Sequence, residues 1–274
     1  MKVTFYGTRG SIPVPEGEFV RFGGNTPCVL ITFESGRIAI LDAGTGIRKL
    51  GKELAEGRHG QYDDIVIALS HTHWDHIQGF PFFKPAYDPK RHFTIAICGT
   101  GRHAENLENL LGIQMQQEFF PTSLEKMGAT ITFWAPDLTR YATPAGLTVV
   151  ASKQAHPGDS YGYRFEDAGK TLVYCTDVEH VSGIDPRVVD LSRDADLLIH
   201  DAQYTPEELK EKKGWGHSSW EQAVEVAERA GVKRLALFHH DPEHADNFLL
   251  NVEEECQQRF PGAFLAREGA QLQI

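Results

Sequence analysis

The segment 70–76, with the sequence Ser-His-Thr-His-Trp-Asp-His, is the richest stretch of the chain in metal-binding side chains. It follows directly on the apolar run at 65–69 and carries four potential ligands, His71, His73, Asp75 and His76. A turn at the end of a strand lets alternate side chains converge, and imidazole together with carboxylate suits Zn²⁺ or a similar divalent ion. The spacing therefore predicts a metal site at this turn.

Further candidate ligands follow other apolar runs. His156 follows the run at 147–151, Asp177 ends the run at 171–177, and His239 ends the run at 234–239. Open α/β folds place ligand-binding groups at the carboxyl ends of their strands. We therefore expect these three side chains to join the histidine cluster.

Three more polar residues stand at comparable places. Asp201 follows the apolar residues at 197–200, and His217 precedes a helix in the sequence Gly-Trp-Gly-His-Ser-Ser. Asp42 ends the apolar run at 37–41, and we expect it to order the histidine turn rather than to bind metal itself.

The order of these motifs resembles that of the metallo-β-lactamase fold hydrolases. The resemblance rests on Asp42-x-Gly44, the HTHWDH segment, His156, Asp177 and His239. Three further motifs resemble the phosphodiesterase branch that includes the tRNA 3′-processing endonuclease RNase Z. They are GTRGS at 7–11 with Asn-Thr at 25–26, His-Asp-Ala at 200–202, and Gly-His-Ser-Ser at 216–219. The segments GTRGS at 7–11 and FGGNTPCV at 22–29 also resemble the class II cyclic-nucleotide phosphodiesterases.

The resemblance implies a four-layer αββα sandwich with a dinuclear metal site at one edge of the sheets. One metal would be held by His71, His73 and His156. The other would be held by Asp75, His76 and His239. Asp177 would bridge the two ions, which we expect to be Zn²⁺, with Mn²⁺ or Fe as alternatives.

The resemblance also implies the chemistry. A hydroxide bridging the two metals would attack a phosphodiester, and His217 would protonate the leaving oxygen as general acid. A carboxylate on the far nitrogen, from Asp201, would fix the tautomer of His217 and keep it protonated. We expect Asp75, in addition to His217 and Asp201, to be a catalytic residue.

The elements that must position these groups are short strands separated by glycine turns. The runs at 28–33 and 37–41, split by Glu-Ser-Gly, predict a hairpin, and 47–56 predicts a helix. The helix at 218–230 begins with a capping arrangement of Ser219 and Glu221 and ends at Gly231. Without repeats or linkers, the alternation predicts a single α/β domain over residues 1–274.

Composition limits the partners. No apolar run approaches the roughly 18 residues of a membrane helix, so we expect no membrane contact. Four scattered cysteines and no secretory leader favour a reduced, cytoplasmic protein. A formal net charge of −11 repels polyanions, so we expect no long nucleic acid as a partner.

The expected substrate is therefore a small phosphodiester, either a cyclic nucleotide or another cyclic phosphate. RNase Z enzymes carry a tRNA-binding arm between the motif of His156 and that of Asp177, an interval that here holds only a turn and a hairpin. The alternatives are a lactone or thioester hydrolase on the same metals and a tRNA 3′-processing endonuclease. A non-enzymatic metal-binding module is the least favoured, and a homodimer is expected by analogy.

Overall fold

Two seven-stranded β-sheets form the centre of the computed structural model, which describes residues 1–60, 64–98, 104–136, 139–143 and 146–274. In spatial order, the strands of the first sheet are Gln271–Gln273 (β14), Lys2–Gly7 (β1), Cys28–Thr32 (β2), Ile38–Leu41 (β3), Asp64–Ala68 (β4), His92–Ala96 (β5) and Thr130–Trp134 (β6). The strands of the second sheet are Ala263–Leu265 (β13), Leu235–Phe238 (β12), Leu197–Asp201 (β11), Lys170–Cys175 (β10), Ser160–Asp167 (β9), Thr148–Gln154 (β8) and Arg140–Ala142 (β7).

Both sheets are mixed, and each contains a parallel group of strands. β3 to β6 run parallel in the first sheet, and β10 to β13 run parallel in the second. The remaining neighbours, including β8 with β9 and β9 with β10, pair antiparallel. The carboxyl ends of parallel strands therefore share one edge of each sheet, where the candidate ligands follow the strands.

Helices cover the outer faces of the two sheets. They are Ile47–Ala55 (α1), Trp74–Ile77 (α2), Ala104–Gln114 (α3), Pro186–Ser192 (α4), Pro206–Glu211 (α5), Trp220–Ala230 (α6) and Asp246–Arg259 (α7). Apolar side chains of α1 and α3 join a core on the first sheet, and those of α4, α6 and α7 join a core on the second. The four layers confirm the predicted αββα sandwich.

The buried apolar side chains form three cores, one between the sheets and one on the outer face of each sheet. In β3, Ile38 and Ile40 pack outward against the helices, whereas Ala39 and Leu41 pack inward between the sheets. This alternation follows from the two-residue period of a strand, and it explains why the central strands are apolar on both faces.

The predicted local elements agree with the structure except at their ends. The hairpin is present as β2 and β3, and Gly231 ends α6 in the left-handed conformation with φ of 67°. Ser219 is the N-cap of α6, but its capping-box partner is Gln222 and not Glu221. The reason is positional, because only the third helical residue can reach back to the N-cap amide.

Two further predictions concern the interval from His156 to Asp177 and membrane-spanning helices. The interval from His156 to Asp177 is filled by β9 and β10, joined at Ala168 and Gly169, which have positive φ of 49° and 75° as in a two-residue hairpin turn. Among the described residues, no helix is long and apolar enough to cross a membrane.

Candidate metal centre

Three residues of the site directly follow strands and have a strained, left-handed backbone conformation. Asp42 follows β3, Asp177 follows β10 and His239 follows β12, and their φ angles are 59°, 52° and 63°. For a residue with a Cβ, the left-handed conformation costs about 1–2 kcal/mol. Such strain persists where the surrounding structure holds it in place, and it is concentrated at functional sites.

The first group of donor atoms combines three imidazoles with one carboxylate. Nε2 of His156 lies 3.0 Å from Nδ1 of His73 and 3.7 Å from Oδ2 of Asp177. Nε2 of His71 lies 3.6 Å from the same oxygen and has no hydrogen-bond partner, although it is buried. These four residues can all offer a ligand atom to one ion.

The second group contains Asp75, His76 and His239. Nε2 of His76 lies 3.3 Å from Nε2 of His239, and Oδ2 of Asp75 lies 3.3 Å and 3.2 Å from the two nitrogens. Oδ1 of Asp177 approaches the same nitrogens at 3.2 Å and 3.4 Å. Asp177 therefore presents one carboxylate oxygen to each group.

The partners of the outer ring nitrogens fix the tautomers. Nδ1 of His76 meets Oδ2 of Asp42 at 2.9 Å, Nδ1 of His239 meets Oε1 of Gln203 at 2.9 Å, and Nδ1 of His156 meets the carbonyl of Gly216 at 2.8 Å. All three partners are acceptors, so each Nδ1 donates and each neutral ring keeps a lone pair on Nε2. These lone pairs point at each other or at carboxylates, an arrangement that a cation satisfies.

The distances also fit a divalent metal. Three atoms about 3.3 Å apart are all about 2 Å from a point near the centre of their triangle, which is the length of a Zn–N or Zn–O bond. The donors of His76, His239 and Asp75 form such a triangle. The unpartnered Nε2 of His71 is a second sign that a group is to be bound here.

Electrostatics favour the ligand forms of several site residues. Burial and the neighbouring His76 lower the pKa of His71 well below its usual range, which keeps the ring neutral. Burial opposes the ionisation of Asp75 and Asp177, but the surrounding imidazoles outweigh it and lower the pKa of both carboxyls. Neutral imidazole and ionised carboxylate are the forms that bind metals. His76 is the exception: burial would lower its pKa, but the carboxylates of Asp177, Asp75 and Asp42 raise it well above the usual range, so His76 must release a proton when a metal binds.

Asp42 holds the turn that carries the HTHWDH motif. Its Oδ1 accepts the backbone N–H of Ser70 at 2.7 Å, and its Oδ2 accepts the hydroxyl of Tyr174 at 2.7 Å as well as the ring of His76. It does not belong to either donor group. Its position is the one expected from the sequence.

His217 lies beside both groups, paired with Asp201. Its Nδ1 is 2.7 Å from Oδ2 of Asp201 and 4.0 Å from Asp177, and its ring stacks on His239 with centroids 4.9 Å apart. Burial alone would lower the pKa of His217, but the Asp201 carboxylate raises it to about 9. Since Nδ1 is engaged, Nε2 remains for a proton or a substrate atom.

The supporting roles of several residues were not predicted from the sequence. Gln203 orients His239, the backbone N–H of Ser11 donates to Oδ2 of Asp75 at 2.9 Å, and Glu179 accepts the amides of Gly214 and Gly216 at 2.7 Å and 3.0 Å. None of them forms a metal-binding pattern in the sequence. Glu179 stands two residues after Asp177, which is the one local signal that could have singled it out.

Comparison with known proteins assigns the chain to a family. The beta-lactamase superfamily domain matches residues 37–240. Ribonuclease Z of Haloferax volcanii is 25% identical over 100% of this chain and 95% of its own length.

Solved structures share the fold. The crystal structure of the short form of human tRNase Z has a TM-score of 0.68 at 21% identity, covering 100% of this chain and 99% of that chain. A diphosphatase from the PhnP family has a TM-score of 0.68 at 20% identity, covering 100% and 97%.

The chain belongs to the β-lactamase superfamily, because the family match spans most of its length and includes every residue of both donor groups. It is a metal-dependent hydrolase of the metallo-β-lactamase fold. Over its full length its sequence is similar to ribonuclease Z, and its fold is similar to that of tRNase Z.

One prediction from the sequence is wrong. We expected no long nucleic acid among the partners, but the relative that matches over the full chain is a ribonuclease. The formal charge of −11 describes the whole surface. Binding depends on the local field in the site, where any bound divalent ion would add two positive charges that the formal charge leaves out.

Proposed function

We propose that this protein is a phosphodiesterase that cleaves RNA with two divalent ions, Zn²⁺ being the first choice. One ion would be held by His71, His73 and His156 and the other by Asp75, His76 and His239. The carboxylate of Asp177 would be shared by both ions. The observation that carries the proposal is the position of Asp177, with one oxygen toward each donor group and His217 at 4.0 Å.

Bound divalent ions supply a hydroxide nucleophile at neutral pH and neutralise the phosphate oxygens as charge develops. The protein contributes the fixed geometry. Asp42, Gln203 and the carbonyl of Gly216 hold three of the imidazoles in one tautomer and one orientation.

The leaving oxygen of an RNA phosphodiester is an alkoxide and needs a proton. His217 is placed to give one, because Asp201 binds Nδ1 and leaves Nε2 to carry the proton. Asp201 is itself fixed by the backbone amides of Ser218 and Gln203, at 3.0 Å and 3.2 Å. This carboxylate would therefore position the acid.

RNA as the substrate class is supported by the ribonuclease Z of Haloferax volcanii, which matches this chain from end to end. A small phosphodiester is the second candidate. It is favoured by the tight turn between β9 and β10, which leaves no protruding arm between His156 and Asp177 to hold a large RNA.

A lactone or thioester hydrolase on the same metals is a third possibility in chemical terms. Ester hydrolysis needs less protonation of the leaving group than phosphodiester hydrolysis does. The buried pair of His217 and Asp201 is therefore better explained by a phosphodiester substrate.

Compartment and assembly stay proposals. Cys28, Cys98, Cys175 and Cys256 are free thiols, which supports a reducing compartment such as the cytoplasm. A homodimer is proposed by analogy with related phosphodiesterases, and sedimentation velocity of the metal-loaded protein measures it.

The test is a substrate panel with the metal-loaded enzyme. The panel contains a precursor tRNA, a linear oligoribonucleotide, cyclic nucleotides, an activated bis-aryl phosphate and a lactone. Cleavage of RNA and of the aryl phosphodiester is expected. Turnover of the lactone alone would contradict the proposal, and turnover of cyclic nucleotides without RNA would establish the second candidate.

A further inference from the structure

A cavity of about 460 Å³ lies between the two sheets. Its walls are the inner faces of β3 to β6 on one side and of β7 to β9 on the other. No residue of the two donor groups lines it, so it is separate from the metal centre. Protein interiors contain few voids larger than a water molecule, so a space of this size needs an explanation.

The sequence builds this cavity by alternating residue size along the strands. Val66, Thr94 and Thr132 are in register across β4, β5 and β6 and line the cavity, and Ala68 and Ala96 form the next row. The positions that alternate with them pack outward and are large: Ile65, Ile67, Phe93, Ile95, Ile131 and Phe133. Small side chains are therefore confined to the face that borders the cavity.

The inner face of β4 remains uncovered at its centre. Val66 is 38% exposed, although its strand lies between β3 and β5 in the middle of the sheet. Large rings line other parts of the cavity. Phe165 lies on the facing sheet, and Trp134 of β6, in register with Ala96, packs edge-to-face on Tyr141 with centroids 5.3 Å apart. Apolar walls with a few polar groups at the mouth are typical of small-molecule sites of about 300–1,000 Å³.

Among the described residues that line the cavity, Arg37 is the one cation. Arg37 lines the cavity and is exposed, and its guanidinium has no carboxylate partner among the described residues. The other charged lining residue, Asp167, is buried and its Oδ2 accepts the backbone N–H of Glu34 at 2.8 Å. An anionic group at the mouth would therefore find its partner in Arg37.

We propose that this cavity binds a small apolar carboxylic acid, with its chain between the sheets and its carboxylate at Arg37. The chain would bury its apolar surface against Val66 and the neighbouring rings, and each methylene group removed from water would strengthen binding. The guanidinium would form a charge-assisted pair with the head group. This site does not depend on the proposed phosphodiesterase activity.

The experiment is calorimetric titration of the metal-loaded protein with decanoate and, as a head-group control, with decanol. We expect one decanoate per chain. Arg37→Gln should weaken decanoate about tenfold or more and leave decanol unchanged, because only the acid uses the charge.

Two variants fill the cavity. Val66→Phe and Ala96→Leu should abolish the binding of both probes and should not lower the melting temperature, because they replace empty space with side chain. Ala55→Leu, at an exposed position of α1 outside the cavity, is the matched control and should bind as the parent does.

Four outcomes would contradict the proposal. Absence of saturable binding by either probe overturns the site. Equal binding to the parent and to both filled variants shows that the probes bind elsewhere, and it overturns the site as well. Equal affinity for acid and alcohol, unaffected by Arg37→Gln, removes the carboxylic acid as the ligand class. Two chains could also associate so that the second copy covers the cavity. If decanoate binding is lost when they do, this would also contradict the proposal.

Discussion

Nδ1 of His217 lies 2.7 Å from Oδ2 of Asp201, and the same carboxylate oxygen accepts the backbone N–H of Asp177 at 3.1 Å. One carboxylate thus connects the proposed acid with the residue shared by both donor groups. A change at Asp201 is therefore expected to affect the position of both, whereas a change at His217 affects proton transfer alone.

Replacement of His217 by alanine should separate acid catalysis from metal binding. We expect His217→Ala to keep its metal and to cleave RNA on the order of 10²–10⁴-fold more slowly, the usual contribution of a general acid. An activated aryl phosphodiester has a leaving group that needs little protonation, so its loss should be clearly smaller. Rates on both substrates, with metal content measured by elemental analysis, check this.

A ring nitrogen of His217 also lies within 4.8 Å of ligand atoms of Asp177 and His239, so His217 could itself bind metal. The metal content of the variant decides between the two roles. Loss of an ion from His217→Ala would make His217 a ligand. Equal slowing of the two substrates with both ions retained would show that it orients the substrate or water instead.

Asp177→Ala should remove both ions, because this carboxylate faces each donor group. We expect the parent protein to bind about two ions per chain and the variant to lose metal and activity together. Asp190→Ala is the control, since Asp190 is an exposed carboxylate whose one ionic partner among the described residues is Arg193. Full metal content in Asp177→Ala, or one ion at most in the reconstituted parent, would refute the shared site.

Asp42→Ala should weaken metal binding without removing a ligand. The variant frees the ring of His76 and leaves the hydroxyls of Tyr174 and Ser70 without their acceptor. Loss of such a supporting group typically costs 10–100-fold in metal affinity. Competition with a chelator measures the affinity, and Asp64→Asn, at an exposed position of β4, should leave it unchanged.

Gly216→Ala tests the placement of His156. A Cβ at Gly216 would lie 2.2 Å from Nδ1 of His156, so the imidazole must move away from the metal. Gly183 has nearly the same φ, +94° against +91°, but a Cβ there meets nothing within 4 Å. Both variants carry the backbone strain of a left-handed alanine. Only Gly216→Ala should lose metal, and equal metal loss in both would show that strain alone is responsible.

Cleavage of RNA should depend strongly on salt. Several phosphates contacted at once release counterions, so kcat/KM for an oligoribonucleotide should fall about tenfold or more between 50 and 200 mM salt. An aryl phosphodiester with a single charge should change little. A salt-independent rate on RNA would mean that the enzyme engages only the scissile phosphate, as expected for a small-substrate phosphodiesterase.

The chain order of many of the strands and of the candidate metal ligands could be predicted from the sequence. The apolar runs that became β3, β4, β10 and β12 are each followed within a few residues by a candidate site residue, and parallel strands bring such residues to one edge. The helix α6 was found from its caps, though with Glu221 in place of Gln222. These features depend on contacts between residues close in the chain or on the two-residue period of a strand.

The substrate could not be derived from composition. The formal charge of −11 predicted the exclusion of long nucleic acids, and the similarity to a ribonuclease contradicts it. Net charge has no position, whereas a polyanion responds to the field at the surface it touches.

By itself, the sequence determined which side chains are available to bind metal and at the end of which strand each one stands. The tertiary structure decided how they are used. It placed Gln203 on His239, the carbonyl of Gly216 on His156, and one oxygen of Asp177 toward each donor group. It also left the cavity beside Val66, because the distance between two sheets is set by side chains from both. Such relations join residues far apart in the chain, and a pattern along one strand has no information about its partner across the sandwich.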